Sequence, residues 1–433
     1  MMIASVFVLL VMVVLLCSSM WIGFALLGTG LLSLEWFRDV PIQRILAQDV
    51  WSRLNADELV TLPLFVLMGD ILFFSKLSES LFRGIAPWVQ RLPGGLLHVN
   101  VIGCTIFAAV SGSSAATTAT VGRMTLRELL KRGYDKDMAM GSLAGAGTIG
   151  LMIPPSIPMI VYGVLADVSI LDLFIAGVVP GLIIAVMFIG WIMLQAWWRP
   201  SVQPADPEVY TWAQKVESLK DLLPVSLLIL SVIGSMYSGL ASVTEAAAVG
   251  VAGALAISVA QGLMSWRNLG RALLSTVRTC SMIGLILLGA LFLAKVMTML
   301  GIPGETGQWV KSLELSPYML IFTLLVVYLI LGTALDGLSA MVMTLPVVFP
   351  LLTGLGFDAV WLGVVVTMMI EIGMLTPPVG MNLFVLVGIS KGKVSLGDAA
   401  HGALPFWLLL LLGVLLLTWL PGIATWLPGL SYA

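Results

Sequence analysis

Apolar residues run along this chain in long stretches, at positions 3–34, 173–197, 222–240, 245–263, 280–301 and 403–420. A helix needs roughly 20 apolar residues to cross a bilayer. The stretches are continuous, as helical spans are, whereas barrel strands alternate over segments of about 10 residues. The run at 3–34 predicts a first spanning helix. No Lys or Arg precedes it and no A-x-A site follows, so it does not read as a removed signal peptide. Residues 96–122 break the pattern. They cover 27 mostly apolar positions, too few for two crossings and many for one, and the middle reads V-S-G-S-S. Arg91 and Arg123 flank the segment and place both ends on one side. A re-entrant hairpin with its tip at Ser111–Ser114 follows; the other reading is one long helix with a polar stripe. A second hairpin is expected at 317–349, with its tip near Leu335, Asp336 and Gly337. Non-helical backbone survives at membrane depth only inside protein or beside a wet cavity, so each tip implies a site.

Composition agrees. Of 433 residues, 59% are hydrophobic and only 10% charged, with mean hydropathy +1.07. A soluble chain carries about 25% charged residues. The expected class is therefore an all-α polytopic membrane protein. A net charge of −2 points away from nucleic acid. His98 and His401 are far apart, and Cys17, Cys104 and Cys280 lie in apolar segments, so no zinc spacing or disulfide framework follows.

The chain also repeats itself. IGLMIPPS at 149–156 is answered by IGMLTPPV at 372–379, and GYD at 133–135 by GFD at 356–358, both offset by 223 residues. SGSSAA at 111–116 falls opposite LDGLSA at 335–340, and VSILD at 168–172 opposite VSLGD at 394–398. Charges give the repeat its hand. The loop expected at 122–137 carries Arg123, Arg127, Lys131, Arg132 and Lys136, while its counterpart at 346–360 has no Lys or Arg. The V-S-x-x-D turns show the reverse: 166–173 lacks basic residues and 389–398 has Lys391 and Lys393. Cytoplasmic loops are enriched in Lys and Arg, so equivalent loops lie on opposite sides. This is an inverted-topology repeat, an architecture of secondary transporters. The segments 198–220 and 264–278, with Arg199, Lys215, Lys220, Arg267, Arg271 and Arg278, read as cytoplasmic. Residues 35–58 fit poorly: by this scheme they are periplasmic, yet hold Arg38, Arg44 and Arg53 beside five acids. They read as an amphipathic surface helix. The expected division is a first repeat at 1–197, with scaffold helices to 95 and a hairpin and broken helix at 96–165. A linker at 198–221 follows. The second repeat, 222–433, has scaffold helices to 316, hairpin and broken helix at 317–390 and a last helix at 403–425.

Pro154 and Pro155, and Pro377 and Pro378, lack amide protons and disrupt their helices. The carbonyls freed near Gly150–Ile153 and Gly373–Thr376 suit a hard cation such as Na⁺, while half-helix N-termini favour anions. One candidate cation set is Ser111, Ser114, Gly150, Ile153 and Pro154. The other is Asp336, Gly337, Gly373, Thr376 and Pro377. The candidate substrate set is Ser111, Gly112, Ser113, Ser114, Thr117, Pro155, Pro378 and Asn382. Arg123 is a rival carboxylate clamp, though its basic surroundings make it a marker of the cytoplasmic side.

At these residues the chain resembles the large, DctM-like membrane subunit of a tripartite ATP-independent periplasmic (TRAP) transporter. The likeness covers nearly the whole chain. It is carried by FAAVSGSSAATTATVG (107–122), RGYD (132–135), GTIGLMIPPSIPMIVYG (147–163), AGVVPGL (176–182), TEAAAVGV (244–251), LDG (335–337) and TPPVGMNLFV (376–385). The resemblance implies a Na⁺-driven, elevator-type importer of organic acids in the bacterial inner membrane. It implies no enzymatic activity and no cofactor besides the coupling ion. Its implied partners are a periplasmic substrate-binding protein (P type) and a small four-helix membrane subunit (Q type). Two residues depart from expectation. Asp70 in LFVLMGDILFF and Lys295 in LFLAKVMTML are charges in apolar runs; each is either functional or reaches to an interface.

Other classes fit less well. An intramembrane aspartyl protease would need Asp70 and Asp336 to share a proton, but the G-x-G-D context is absent. A channel is disfavoured by two matched half-sites. A related Na⁺–carboxylate symporter or ion exchanger of inverted-repeat design, working without a binding protein, remains the alternative.

Overall fold

The structure is a computed structural model that describes residues 2–54, 58–75, 77–204, 210–333, 335–390 and 394–431. Asp57, Lys391 and Lys393 of the charge pattern lie outside the described residues, as do the side chains of Arg53 and Glu58. Among the described residues there are helices and no strands. Five helices are long and apolar enough to cross a membrane, and this is a multi-pass membrane protein.

The first half runs through α1 (Met2–Cys17), α2 (Ile22–Phe37), α3 (Ile42–Leu54), α4 (Glu58–Phe74) and α5 (Leu77–Val89). It continues with α6 (Leu97–Ser111), α7 (Ser114–Lys131), α8 (Lys136–Thr148), α9 (Ile157–Ala166) and α10 (Ile170–Trp198). The second half holds α11 (Trp212–Tyr237), α12 (Val243–Ala260), α13 (Trp266–Met299), α14 (Ile302–Ser312) and α15 (Pro317–Gly332). It ends with α16 (Gly337–Thr353), α17 (Ala359–Leu375), α18 (Met381–Ile389), α19 (Leu396–Trp419) and α20 (Gly422–Ser431).

The recurring motifs are helix punctuation. Gly133 and Gly356 take the left-handed backbone, φ +81° and +93°, which glycine adopts without penalty. The aspartate two residues on then caps the next helix. Asp135 Oδ1 accepts from the Met138 amide at 2.8 Å, and Asp358 Oδ1 from Trp361 at 2.7 Å. The serines of V-S-x-x-D do likewise: Ser169 accepts from Asp172 at 3.2 Å and Ser395 from Asp398 at 3.1 Å. Such caps satisfy amides that have no partner within the helix.

Several boundaries differ from the sequence reading. The run at 3–34 is two helices: Ser18 Oγ donates to the Leu15 carbonyl at 2.7 Å and Ser19 has φ +61°, which stops α1. The expected basic loop at 122–137 is mostly the end of α7, so Arg123, Arg127 and Lys131 project from a helix. Likewise 346–353 belongs to α16, and Arg267, Arg271 and Arg278 belong to α13. The expected last helix at 403–425 breaks at Leu420 into α19 and α20, because Pro421 cannot donate an amide to continue it. The segment after α2 forms α3, with Arg38 donating to the Met299 carbonyl at 2.7 Å.

Helices pair across the halves. In one group α2 and α4 pack on α13, α4 on α12, and α5 on α11; in the other α8 packs on α19, α7 on α18, and α10 on α17. Small residues permit the closest approach. A Cβ on Gly141 of α8 would collide with the Gly402 carbonyl of α19, and one on Gly145 would meet Phe406. Lys136 Nζ reaches Asp398 at 2.8 Å along the same seam.

Gly141→Leu should therefore destabilise the fold by about 1–3 kcal/mol, the usual cost of overpacking, because backbone stands in the way. Gly190→Ala, where nothing lies within 4 Å, is the control. Thermal unfolding of both purified variants checks this: a lowered Tm is expected for the first and none for the second.

Candidate functional site

The first hairpin is two helices meeting at a tight tip. α6 has 15 residues, about 22 Å at 1.5 Å per residue, short of the roughly 30 Å of hydrocarbon. It ends because Gly112 turns left-handed, φ +59°. Ser113 then caps α7, its hydroxyl accepting from the Ala116 amide at 3.4 Å. Ser111 Oγ and Thr117 Oγ1 are hydrogen-bonded at 2.6 Å.

The first broken helix closes on this tip. After α8 a single 3-10 turn covers Ile149–Leu151, and helix resumes only at Ile157. Residues Met152–Ser156 between them are buried, with a cis Pro154–Pro155 peptide. The Ile157 amide donates to the Gly112 carbonyl at 3.2 Å. A Cβ on Gly150 would sit 3.0 Å from Thr117 Oγ1 and 3.2 Å from the Ser113 carbonyl. Of the predicted residues, Ser111, Gly112, Ser113, Ser114, Thr117, Gly150 and Pro155 are thus brought together. Asn382, from the start of α18 in the other half, joins them: its Nδ2 donates to Ser114 Oγ at 2.7 Å. Asn382 is fully buried, and among the described residues neither its Oδ1 nor the buried Thr118 Oγ1 has a hydrogen-bond partner. Oxygen donors of this kind can hold a hard cation. Ile153 and Pro154 lie in the same break, where Ile153 packs toward Gly181.

The second hairpin is built differently. Asp336 caps α16, its Oδ2 accepting from the Ser339 amide at 3.1 Å and its Oδ1 from Ser339 Oγ at 2.5 Å. Gly332 lies against Gly373, and a Cβ on Gly337 would sit 3.2 Å from Ile370 Cβ, so this tip meets α17 just before the second break. Thr376 Oγ1 donates to the Ile372 carbonyl at 2.8 Å and accepts from Trp407 Nε1 at 3.0 Å. Gly373 already accepts from the Thr376 amide at 3.0 Å. Pro377 and Pro378, joined by a cis peptide, are exposed, unlike Pro154 and Pro155.

A cavity of about 240 Å³ lies between the first hairpin and α4 and α13. Ser111 and Ser113 line one wall, Asp70, Phe73, Ser275 and Thr279 the other. Arg123 stands outside it, its guanidinium 5.5 Å from the Phe73 ring centre. Together with Arg127 and Lys131 it lines a separate cavity of about 770 Å³. Lys295 pairs with the buried Asp49 of α3 at 3.1 Å. Sequence reasoning missed Glu371, which is fully buried in α17 and faces the Leu151 backbone of the first break. Its carboxyl has no side-chain hydrogen-bond partner among the described residues. The signal was present: one charge in VVVTMMIEIGML, as at Asp70.

Discontinuous helices from both halves, meeting inside an apolar helical bundle beside a small cavity lined in part by polar side chains, define a membrane transport protein. The family model for the tripartite ATP-independent periplasmic transporter, DctM component, matches residues 9–423, and the chain belongs to that family of large permease subunits. It is 34% identical to the C4-dicarboxylate TRAP transporter large permease protein DctM of Pseudomonas aeruginosa, over 84% of this chain and 85% of that one. It is 30% identical to the isethionate TRAP transporter permease protein DctMQ of Oleidesulfovibrio alaskensis, over 92% of this chain and 62% of that one. The fold resembles the crystal structure of the Alcanivorax borkumensis YdaH transporter, with TM-score 0.62 and 16% identity, over 94% and 98% of the two chains. These relatives are transporter permeases, not enzymes.

The Asp336 cap is testable. Asp336→Ala should cost about 0.5–2 kcal/mol, the range for losing an N-cap, while Asp336→Ser keeps an acceptor and stays near wild type. Equal losses of Tm in the two variants would show that capping is not what Asp336 contributes.

Proposed function

We propose that this chain is the permease subunit of a Na⁺-coupled secondary importer of a small organic acid, supplied by a periplasmic binding protein. The observation that carries the reading is the meeting of the first hairpin tip, the first break and Asn382. Small backbone and hydroxyl oxygens converge there, with a buried Asn382 Oδ1 that no group among the described residues satisfies. A buried polar atom left unpaired is costly, and a coordinated Na⁺ would offset that cost. In this reading Ser111, Ser114, Asn382 and the carbonyls of Gly150, Ile153 and Pro154 hold one Na⁺. Gly337, Gly373, Thr376 and Pro377, beside Asp336, hold another. The acid's carboxylate is held at the Ser113 end of α7 by free amides and the positive end of the helix. A cargo of this kind is in line with relatives named for C4-dicarboxylate and isethionate.

The architecture of this proposal is two inverted repeats, 1–197 and 222–433, joined by a cytoplasmic linker at 198–221. The order of hairpin, capped helix, break, short helix and capped long helix occurs in both halves, and the charge asymmetry of the α7 and α16 ends supports the inversion. The hairpins and broken helices would move as an elevator against α4, α5 and α11–α13. A bacterial inner membrane and a separate small four-helix subunit complete the system, consistent with a relative named DctMQ.

Uptake into proteoliposomes holding both membrane subunits should need the binding protein and rise sigmoidally with Na⁺. Asn382→Ala should raise the Na⁺ concentration for half-maximal uptake about tenfold, the lower end for losing an interaction with a charged group. Full uptake on a proton gradient without Na⁺ would reject the coupling ion. Uptake without the binding protein would favour the stand-alone symporter. For the topology, single cysteines at Arg127 and Leu355 should label from opposite faces of the membrane. Labelling of both from one face would reject the inverted repeat.

A further inference from the structure

We propose that the carried acid is zwitterionic: its cationic nitrogen is recognised by Asp70, while the first hairpin tip holds its carboxylate. The proposal deepens the transport reading above and rests on it. Asp70 lines the same cavity as Ser111 and Ser113. The two walls are in contact beside it: a Cβ on Gly69 would sit 3.1 Å from the Val110 carbonyl and 3.2 Å from Ser111 Cα. A solute lying against the tip therefore lies against Asp70.

The Asp70 carboxylate is oriented but not neutralised. Its oxygens accept from Ser275 Oγ at 3.1 Å and Thr276 Oγ1 at 2.8 Å, both neutral donors on α13. A carboxylate accepts at about four lone-pair positions, so capacity remains on the cavity side. No Lys, Arg or His among the described residues forms an ion pair with it. Arg123, close by on α7, is engaged with the Phe73 ring. A charge within a membrane protein is normally paired or functional, and Lys295, paired with Asp49, shows the first case here.

The opposite wall has the opposite polarity. α7 is 18 residues long and its N-terminus, capped by Ser113, faces the cavity, so its free amides present partial positive charge. A small acid with an ammonium or amidinium group satisfies both walls at once. A plain dicarboxylate places its second negative charge against Asp70, where Coulomb repulsion is weakly screened.

The test uses the large and small subunits purified as a complex in nanodiscs with Na⁺, followed by thermal unfolding. The probes are β-alanine and 4-aminobutanoate against succinate and glutarate, pairs with the same methylene spacer in which a carboxylate replaces the ammonium. The wild type should be stabilised by at least one amino acid at concentrations at least tenfold below those needed for its dicarboxylate partner. Asp70→Asn should weaken amino-acid binding at least tenfold and leave the dicarboxylates unchanged or tighter. Thr276→Val, which removes a scaffold hydrogen bond but keeps the charge, should preserve the discrimination. Three outcomes overturn the proposal: dicarboxylates binding as well as amino acids, Asp70→Asn without effect on the amino acids, or no stabilisation by either amino acid. The Na⁺ dependence of Tm without probe is recorded in parallel. Its absence counts against the coupled-carrier reading; its presence with failed discrimination counts against the role of Asp70 alone.

Discussion

Hydrocarbon offers no partner to a backbone amide or carbonyl, and everything distinctive in this molecule follows from how that constraint is met. Four places in the described chain leave the helix inside the apolar bundle: the tips near Gly112 and Leu335 and the breaks after Leu151 and Leu375. Each break is answered by another. The first tip receives the Ile157 amide, its Ser114 is bonded by Asn382 from the far half, and the second tip closes on its own Ser339. Glycine at 112, 150, 332 and 373 lets these segments touch backbone to backbone. Removing that proximity would strand polar groups in an apolar medium at a cost of several kcal/mol each.

The same constraint explains why the halves interlock. A nine-residue α18 or ten-residue α9 cannot cross the membrane and cannot stand in lipid alone. Each is held against helices that the other half supplies: α18 against α7, and α9 against α16. The two breaks are nonetheless unequal. The first is sealed, with Met152–Ser156 buried, while Pro377–Val379 are exposed. A related sequence pattern therefore yields one buried and one exposed junction.

Much of this was legible in the chain. The tips, the broken helices and the repeated G-[YF]-D and V-S-x-x-D motifs were readable because glycine, proline and capping side chains act locally, within four residues. The split of 3–34 was not, since Cys17–Met20 is apolar enough to pass as span and only the Ser18 back-bond and the left-handed Ser19 reveal the stop. The α7 extension to Lys131 was missed because basic residues read as loop when they line a wet helical face. Asn382 could be nominated from its motif, but its partner Ser114 is 268 positions away, and no local rule carries that distance. Exposure of Pro378 against burial of Pro155 is likewise a property of neighbours brought by tertiary packing.

Charges in the apolar runs separate by what compensates them. Lys295 finds Asp49 and ties α3 to α13; this pair is internal and holds structure. Asp70 has hydroxyls that fix its direction without cancelling its charge, and Glu371 has no cationic partner among the described residues and faces the Leu151 backbone. The two uncompensated carboxylates occupy different places: one faces a cavity between the hairpin and the α4–α13 wall, the other faces the sealed break. Desolvation penalises a bare charge in both. A chain that keeps such groups leaves part of its stabilisation to what it binds, and a carrier gains from that arrangement. Strong binding then depends on the loaded state, and the ligand's differential affinity for two arrangements is what can shift the balance between them.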